Sequence, residues 1–141
     1  LAHGVFDLLH AGHVEHLREA LSLGTSLIVS LTLDEYVNKG PDRPINTWAD
    51  RAAVLRELRC VDRVVPSRTL ADAITQNWPN IVAKGSDYEG HEFGRHIIAA
   101  CEQVGARLVI TKAAKRSATD LITRTRELYV RENKGQGSTR Q

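Results

Sequence analysis

Methionine is absent from the 141-residue sequence, and aromatic residues make up only 5% of it. So few rings argue against a nucleic-acid surface of basic residues interleaved with stacking side chains. No apolar run approaches the roughly 18 residues of a membrane-spanning helix. Cysteines are limited to Cys60 and Cys101, and no signal-like apolar segment is visible. A reduced, cytoplasmic setting is expected, with both thiols in apolar packing. No charge dominates: 19 Lys and Arg stand against 17 Asp and Glu, a net of +2. The excess sits at the end, where residues 123–141 carry five basic and two acidic side chains. Residues 1–122 carry fourteen against fifteen. With 42% hydrophobic and 26% charged residues, the composition is that of one folded domain. A chain that opens on Leu1 without methionine leads to the expectation that translation begins upstream, with a few strand residues before Leu1.

What is present is a regular alternation. Residues 1–5 and the near-continuous apolar run 26–33 read as strands, the second buried on both faces. Between them, residues 8–23 have helical spacing, with Val14, Leu17 and Leu21 on one stripe and Gly24 as the stop. Gly40, Pro41 and Pro44 make residues 36–46 a loop. A helix over 47–58 follows, capped by Thr47, with Ala53, Leu55 and Leu58 inward. Strands are then expected at 62–66, 80–84 and 107–111, and helices at 69–76, 92–104 and 117–131. Residues 85–90 read as a polar turn and Gly105 as a helix stop. Such alternation implies an α/β, Rossmann-like three-layer fold around a five-stranded, mainly parallel sheet. Residues 1–132 form the expected domain, and 133–141 a flexible basic tail.

In such folds ligands bind beyond the carboxyl ends of the strands. Neither G-x-G-x-x-G nor G-x-x-x-x-G-K-[ST] occurs there. Instead Gly4-Val5-Phe6-Asp7-Leu8-Leu9-His10-Ala11-Gly12-His13 follows the first strand. Gly4 allows close backbone approach, and Gly12 leaves room beside the first helical turn. His10 and His13 are three residues apart and share a helical face. A helix start offers free N–H groups and partial positive charge, and two imidazoles there can donate to phosphate oxygens. The bland alternative is a pair of surface or capping histidines. Zinc is disfavoured: His16 extends the spacing, but H-E-x-x-H is absent and no nearby Cys completes a ligand set.

GVFDLLHAGH resembles the G-x-F-D-x-x-H-x-G-H signature of the cytidylyltransferase-like nucleotidyltransferases. Lys39-Gly40-Pro41-Asp42-Arg43-Pro44-Ile45-Asn46, with Arg51 after it, resembles the K-G-x-x-R-P-x-N…R stretch of bacterial heptose 1-phosphate adenylyltransferases. Lys84-Gly85-Ser86-Asp87-Tyr88 resembles their K-G-x-D-Y turn, and residues 116–122 their S-T-T-x-I helix start. The similarity covers most of the chain, from Gly4 to Ile122. It implies transfer of a nucleoside monophosphate from an NTP, ATP by this resemblance, to a sugar phosphate such as heptose 1-phosphate, with release of pyrophosphate. A glycerol phosphate cytidylyltransferase using CTP is the rival enzyme. A nucleotide-binding module without turnover, or an RNA-binding tail, are the rivals of other classes.

The resemblance assigns His10, His13 and Lys39 to catalysis, on the charge of the phosphates. Gly4, Val5, Phe6, Asp7, Gly12, Lys84, Ser117 and Thr119 are expected at the nucleotide, and Arg43, Arg51 and Asp87 at the acceptor. Mg²⁺ or another divalent ion would ride on the phosphates without a side-chain cage. Homodimers are common in the resembled family. Each side chain has a plainer reading as well. Lys39 is either a mobile phosphate contact or a solvated loop lysine. Arg43 is an anchored guanidinium or a surface arginine. Arg51 reaches the acceptor phosphate or pairs with Asp50 or Glu57. Asp87 accepts from a sugar hydroxyl or makes an Asx turn. Ser117 and Thr119 hold phosphate, cap a helix, or do both. Three departures stand out. Ala118 replaces the middle hydroxyl of S-T-T. Lys112, Lys115 and Arg116 crowd the preceding loop. His3 stands where related sequences often carry Asn or Tyr.

Overall fold

A computed structural model gives the structure and describes residues 1–88, 92–113 and 116–136, with side chains to 132. Glu89 and Gly90 of the expected turn, Lys115, and residues 137–141 of the expected tail lie outside the described residues.

Strands β1 (Ala2–Gly4), β2 (Ile28–Thr32), β3 (Arg63–Ser67), β4 (Ile81–Lys84) and β5 (Arg107–Ile110) form one sheet in the order β3-β2-β1-β4-β5. Every neighbouring pair is parallel. The helices are α1 (Ala11–Ser22), α2 (Trp48–Arg56), α3 (Leu70–Asn77), α4 (Arg95–Val104) and α5 (Ala118–Gln136). The strand order reverses between β1 and β4, which places a crevice beside their carboxyl ends. β1 registers with β2 through three residues but with β4 only through Ala2 opposite Ala83.

Two cores flank the sheet. On one side Leu17 and Ala20 of α1 and Ala52 and Leu55 of α2 pack with Val29, Leu31 and Cys60. On the other, Ala73 and Ile74 of α3 pack with Val82 and with Ala100 and Cys101 of α4. Both thiols are buried and free, each in its own core. The capping chemistry follows the sequence: Thr47 accepts from the Asp50 N–H at 3.2 Å, and Gly105 closes α4 at φ 70°.

Several boundaries differ from expectation. α1 begins at Ala11 rather than Leu8, because residues 5–10 are spent on a turn into the helix. Its buried face is Gly12, His16, Leu17 and Ala20, while Val14 is only half-buried. α2 turns Ala52 inward and leaves Ala53 exposed. α4 starts at Arg95, after Gly94. α5 runs to Gln136, past its expected end at 131. A short 3-10 turn at Asp34–Tyr36 was not expected, while the one at Ser86–Tyr88 falls within the expected polar turn. Among the described residues no helix is long and apolar enough to cross a membrane.

Candidate active site

The turn after β1 is strained where it enters the cleft. Phe6 is buried and has φ 47°, a left-handed conformation that costs a non-glycine residue roughly 1–2 kcal/mol. Gly4 makes this possible: a Cβ there would lie 2.9 Å from Cε2 of the Phe6 ring. The turn delivers His10 to the cap position of α1, in extended conformation and with no side-chain capping bond. The Ala11 and Gly12 N–H groups are therefore left without a side-chain cap at the positive end of the helix dipole, while the His13 N–H donates to the His10 carbonyl at 2.9 Å. The rings of His10 and His13 stack at 3.8 Å and 17°, and Phe6 meets His13 edge-on at 5.1 Å. Nδ1 and Nε2 of His10 and Nδ1 of His13 are buried with no hydrogen-bond partner. Leaving such a group unpaired costs roughly 1–3 kcal/mol, so three together mark a place built for a ligand.

These rings form one wall of a cleft of about 400 Å³. Gly4, Val5, Phe6 and Gly12 line it on the same side, and Lys39, Lys84, Asp87, Ser117 and Thr119 complete it. Gly85 permits a tight turn there, since a Cβ would sit 2.6 Å from the Asp87 carboxylate. Ser117 Oγ accepts from the Thr119 N–H at 3.1 Å and so caps α5. Lys84 is only 6% exposed, and its Nζ lies 4.0 Å from the centre of the Tyr88 ring. Burial lowers this ammonium to about 8, against the opposing pull of Asp87 and with the help of Lys39.

The cleft holds four imidazoles, all pushed toward the neutral form. Burial, aided by Lys84, takes His3 to about 4. Burial and then the charges of His10, Lys39 and His16 take His13 to about 4. His10 is lowered by burial, Arg116 and Lys39. His16 is lowered by burial and Lys84, against the opposite pull of Asp87 and Glu19. At neutral pH the rings offer hydrogen bonds, while Lys39, Lys84 and Arg116 supply the positive charge.

Three expected ligand contacts are absent from the cleft. Asp7 accepts from Arg43 Nε at 2.7 Å and from the N–H groups of Ile45 and Asn46 at 2.8 and 2.9 Å. Burial alone would raise its carboxyl, but the two backbone donors and Arg43 hold it below the usual carboxylate value. Asp7 thus anchors the loop before α2, and Arg43 is its partner. Arg51 is fully buried on α2 and donates to the carbonyls of Val5, Thr32 and Asn46 and to Asp34. It ties the ends of β1 and β2 to the loop, and pairs with neither Asp50 nor Glu57. All three residues shape the site from behind.

Conversely, His3, His16, Thr32 and Ser86 line the cleft without having been assigned to it from the sequence. Thr32 ends β2, the position where ligand contacts are expected in parallel sheets. His16 lies one helical turn past His13, and that spacing was the available signal.

The cytidylyltransferase-like family profile matches residues 1–124. The bifunctional protein HldE of Vibrio cholerae is 44% identical over 110 residues, which are 74% of this chain and 23% of that protein. HldE of Coxiella burnetii is 47% identical over 93 residues, 63% of this chain and 20% of that protein. The matched segment is thus less than a quarter of either relative's length. Among solved structures, the lipopolysaccharide core biosynthesis protein from Thermoplasma volcanium aligns with a TM-score of 0.65 at 28% identity, covering 82% of this chain and 95% of that one. A protein of unknown function from Archaeoglobus fulgidus, at TM-score 0.58 and 17% identity over 82% of this chain and 93% of its own, shares the fold. With the profile spanning the whole sheet and the residues that line the cleft, the chain belongs to the cytidylyltransferase-like family of nucleotidyltransferases.

Proposed function

We propose that the chain transfers a nucleoside monophosphate from ATP to a sugar phosphate of the heptose 1-phosphate type, releasing pyrophosphate. The observation that carries this reading is the set of unpartnered imidazole nitrogens on His10 and His13, in a cleft rimmed by Lys39, Lys84 and Arg116. An oxygen of the acceptor phosphate attacks the α-phosphorus in line, and the bond to the bridging oxygen of pyrophosphate breaks. Positioning and charge stabilisation then carry the rate, with no covalent nucleophile. Neutral His10 and His13 donate to the α- and β-phosphate oxygens. Lys39, on an exposed loop, closes on the triphosphate, and Lys84 holds charge beneath it. Ser117, Thr119 and the α1 N-terminus add neutral donors. Asp87 accepts from a sugar or ribose hydroxyl.

Among the described residues no group of three or more His, Cys, Asp or Glu has metal-ligating geometry. The donor set of the cleft, imidazole and ammonium, suits phosphate oxygens. A divalent ion such as Mg²⁺ therefore fits as a passenger of the triphosphate, with Asp87 as the nearby carboxylate, and it would supply charge neutralisation.

The Lys39–Asn46 segment and the likeness to a lipopolysaccharide core biosynthesis protein favour the heptose acceptor. The test is pyrophosphate release from ATP, CTP, GTP and UTP against heptose 1-phosphate and glycerol phosphate. ATP with heptose 1-phosphate is expected to turn over fastest. Turnover with CTP and glycerol phosphate instead would replace the substrate assignment. NTP binding without release on any acceptor would make the chain a binding module.

A pH profile follows from Lys84. Its ammonium is present below about 8 and lost above it. kcat/KM, which reports the free enzyme, is expected to fall as pH rises through that value. In Lys84→Arg the charge persists, so the alkaline limb should move up. An unchanged limb in that variant would remove Lys84 from phosphate binding.

A further inference from the structure

Helix α1 does more than carry the imidazole pair. His13, His16 and Glu19 follow one another at intervals of three residues and lie along one side of the helix. His13 faces the cleft. His16 Nδ1 lies 2.7 Å from Thr111 Oγ1, and that hydroxyl donates to the Lys84 carbonyl at 3.2 Å. The neutral ring therefore donates from Nδ1, because the threonine proton is already committed. One turn further on, the Glu19 carboxylate accepts the Lys112 N–H at 2.9 and 2.8 Å and the Ala113 N–H at 3.1 Å.

Two successive amides just beyond β5 are thus gathered by one carboxylate, a charge-assisted arrangement stronger than bonds to a neutral acceptor. Ala113 lines the cleft, and its carbonyl accepts from Ser86 Oγ at 2.8 Å. Ser86 belongs to the turn after β4 and lines the cleft as well. Ala113 is therefore fixed from α1 through its N–H and from the β4 turn through its carbonyl. The helix that presents His10 and His13 thus also sets the place of Ala113 in the lining of the cleft.

We propose that Glu19 is a positioning residue for the nucleotide: through Lys112 and Ala113 it fixes the wall against which the triphosphate is held. The proposal rests on the nucleotidyltransferase reading. Glu19 does not line the cleft, and its effect passes through the backbone it holds. Shortening the side chain by one methylene withdraws the carboxylate by ~1.5 Å, beyond hydrogen-bond reach. A glutamine of the same length keeps one acceptor oxygen.

The test compares Glu19→Ala, Glu19→Asp and Glu19→Gln in the full chain. Amide hydrogen exchange is read at Lys112 and Ala113 without ligand. Calorimetry with ATP and with CTP gives Kd, thermal unfolding monitors the fold, and turnover gives KM and kcat. In Glu19→Ala and Glu19→Asp both amides should lose protection, and nucleotide Kd and KM should rise about tenfold. kcat should stay within about twofold, since the reacting groups are untouched. Glu19→Gln should fall between these variants and wild type, and remains informative if the alanine variant unfolds. Unchanged protection in all three variants overturns the proposal. So does lost protection with unchanged nucleotide Kd. If wild type binds neither nucleotide, the nucleotidyltransferase reading fails and the positioning role with it, while the exchange data still report the clamp.

Discussion

Replacing His13 by alanine is expected to lower kcat at least ~100-fold, about 2.7 kcal/mol of transition-state stabilisation, with the fold intact. The ring lies against His10 on one side and the Phe6 edge on another. Its Nδ1 is buried without a partner, so the protein gains little internal bonding from it. A group held at that cost is useful only when something enters the cleft. Because burial keeps the ring near 4, its protonation does not change across neutral pH. Its contribution is then a directed hydrogen bond, and the loss should fall on kcat more than on nucleotide KM. Steady-state pyrophosphate release by His13→Ala, with circular dichroism as the fold control, checks this. A variant with near wild-type kcat would remove His13 from charge stabilisation, whatever its effect on binding.

Arg51 predicts the opposite outcome, a large effect on folding. Arg51→Met preserves much of the apolar stem and removes the guanidinium. The carbonyls of Val5, Thr32 and Asn46 then lose their donor inside the protein, and Asp34 loses its ion pair. Breaking such a buried network typically costs about 3–5 kcal/mol. For a chain of this size that is a fall in Tm of roughly 10 °C or more. Lysine should not rescue it, because one ammonium cannot reach three carbonyls at the angles of a planar fork. Thermal and urea unfolding of Arg51→Met and Arg51→Lys give the measurement. An unchanged Tm with a raised KM for the acceptor would return Arg51 to the ligand.

The contrast between His13 and Arg51 shows what the sequence carries. The order of elements was legible because each depends on local patterning: an apolar run for β2, Thr47 ahead of α2, Gly105 after α4. The cleft residues were legible because a strand end followed by a helix start is itself local, and His10 and His13 sit within that stretch. The direction of Asp7, Arg43 and Arg51 was not. Each is polar, lies near the motif and reads as a contact with ligand. Only the folding back of residues 43–46 over Asp7 shows that Asp7 and Arg43 satisfy each other, and only the assembled ends of β1 and β2 show that Arg51 is taken up by backbone carbonyls and Asp34. The start of α1 was misplaced for a related reason. Leu8 and Leu9 continue the helical spacing, but the left-handed Phe6 and the extended His10 use those residues to turn the corner. His3 went unassigned because its access to the cleft depends on the strands beside β1, and His16 because its spacing from His13 was weighed only for zinc.

The meeting of β1 and β4 has a mechanical side. β2 and β3 register through five residue pairs and β4 and β5 through four, while β1 meets β4 at Ala2 opposite Ala83 and at the Leu1 carbonyl, which accepts the Ala83 N–H at 2.8 Å. The cleft opens over that seam, with residues of both halves in its lining. His10 and His13 follow β1, whereas Lys84 ends β4 and Asp87 lies in the turn after it. Helix α1 crosses the seam as well: His16 meets Thr111, and Glu19 accepts the Lys112 and Ala113 N–H groups beyond β5. A molecule that touches both sides of the cleft would add a further tie across that seam.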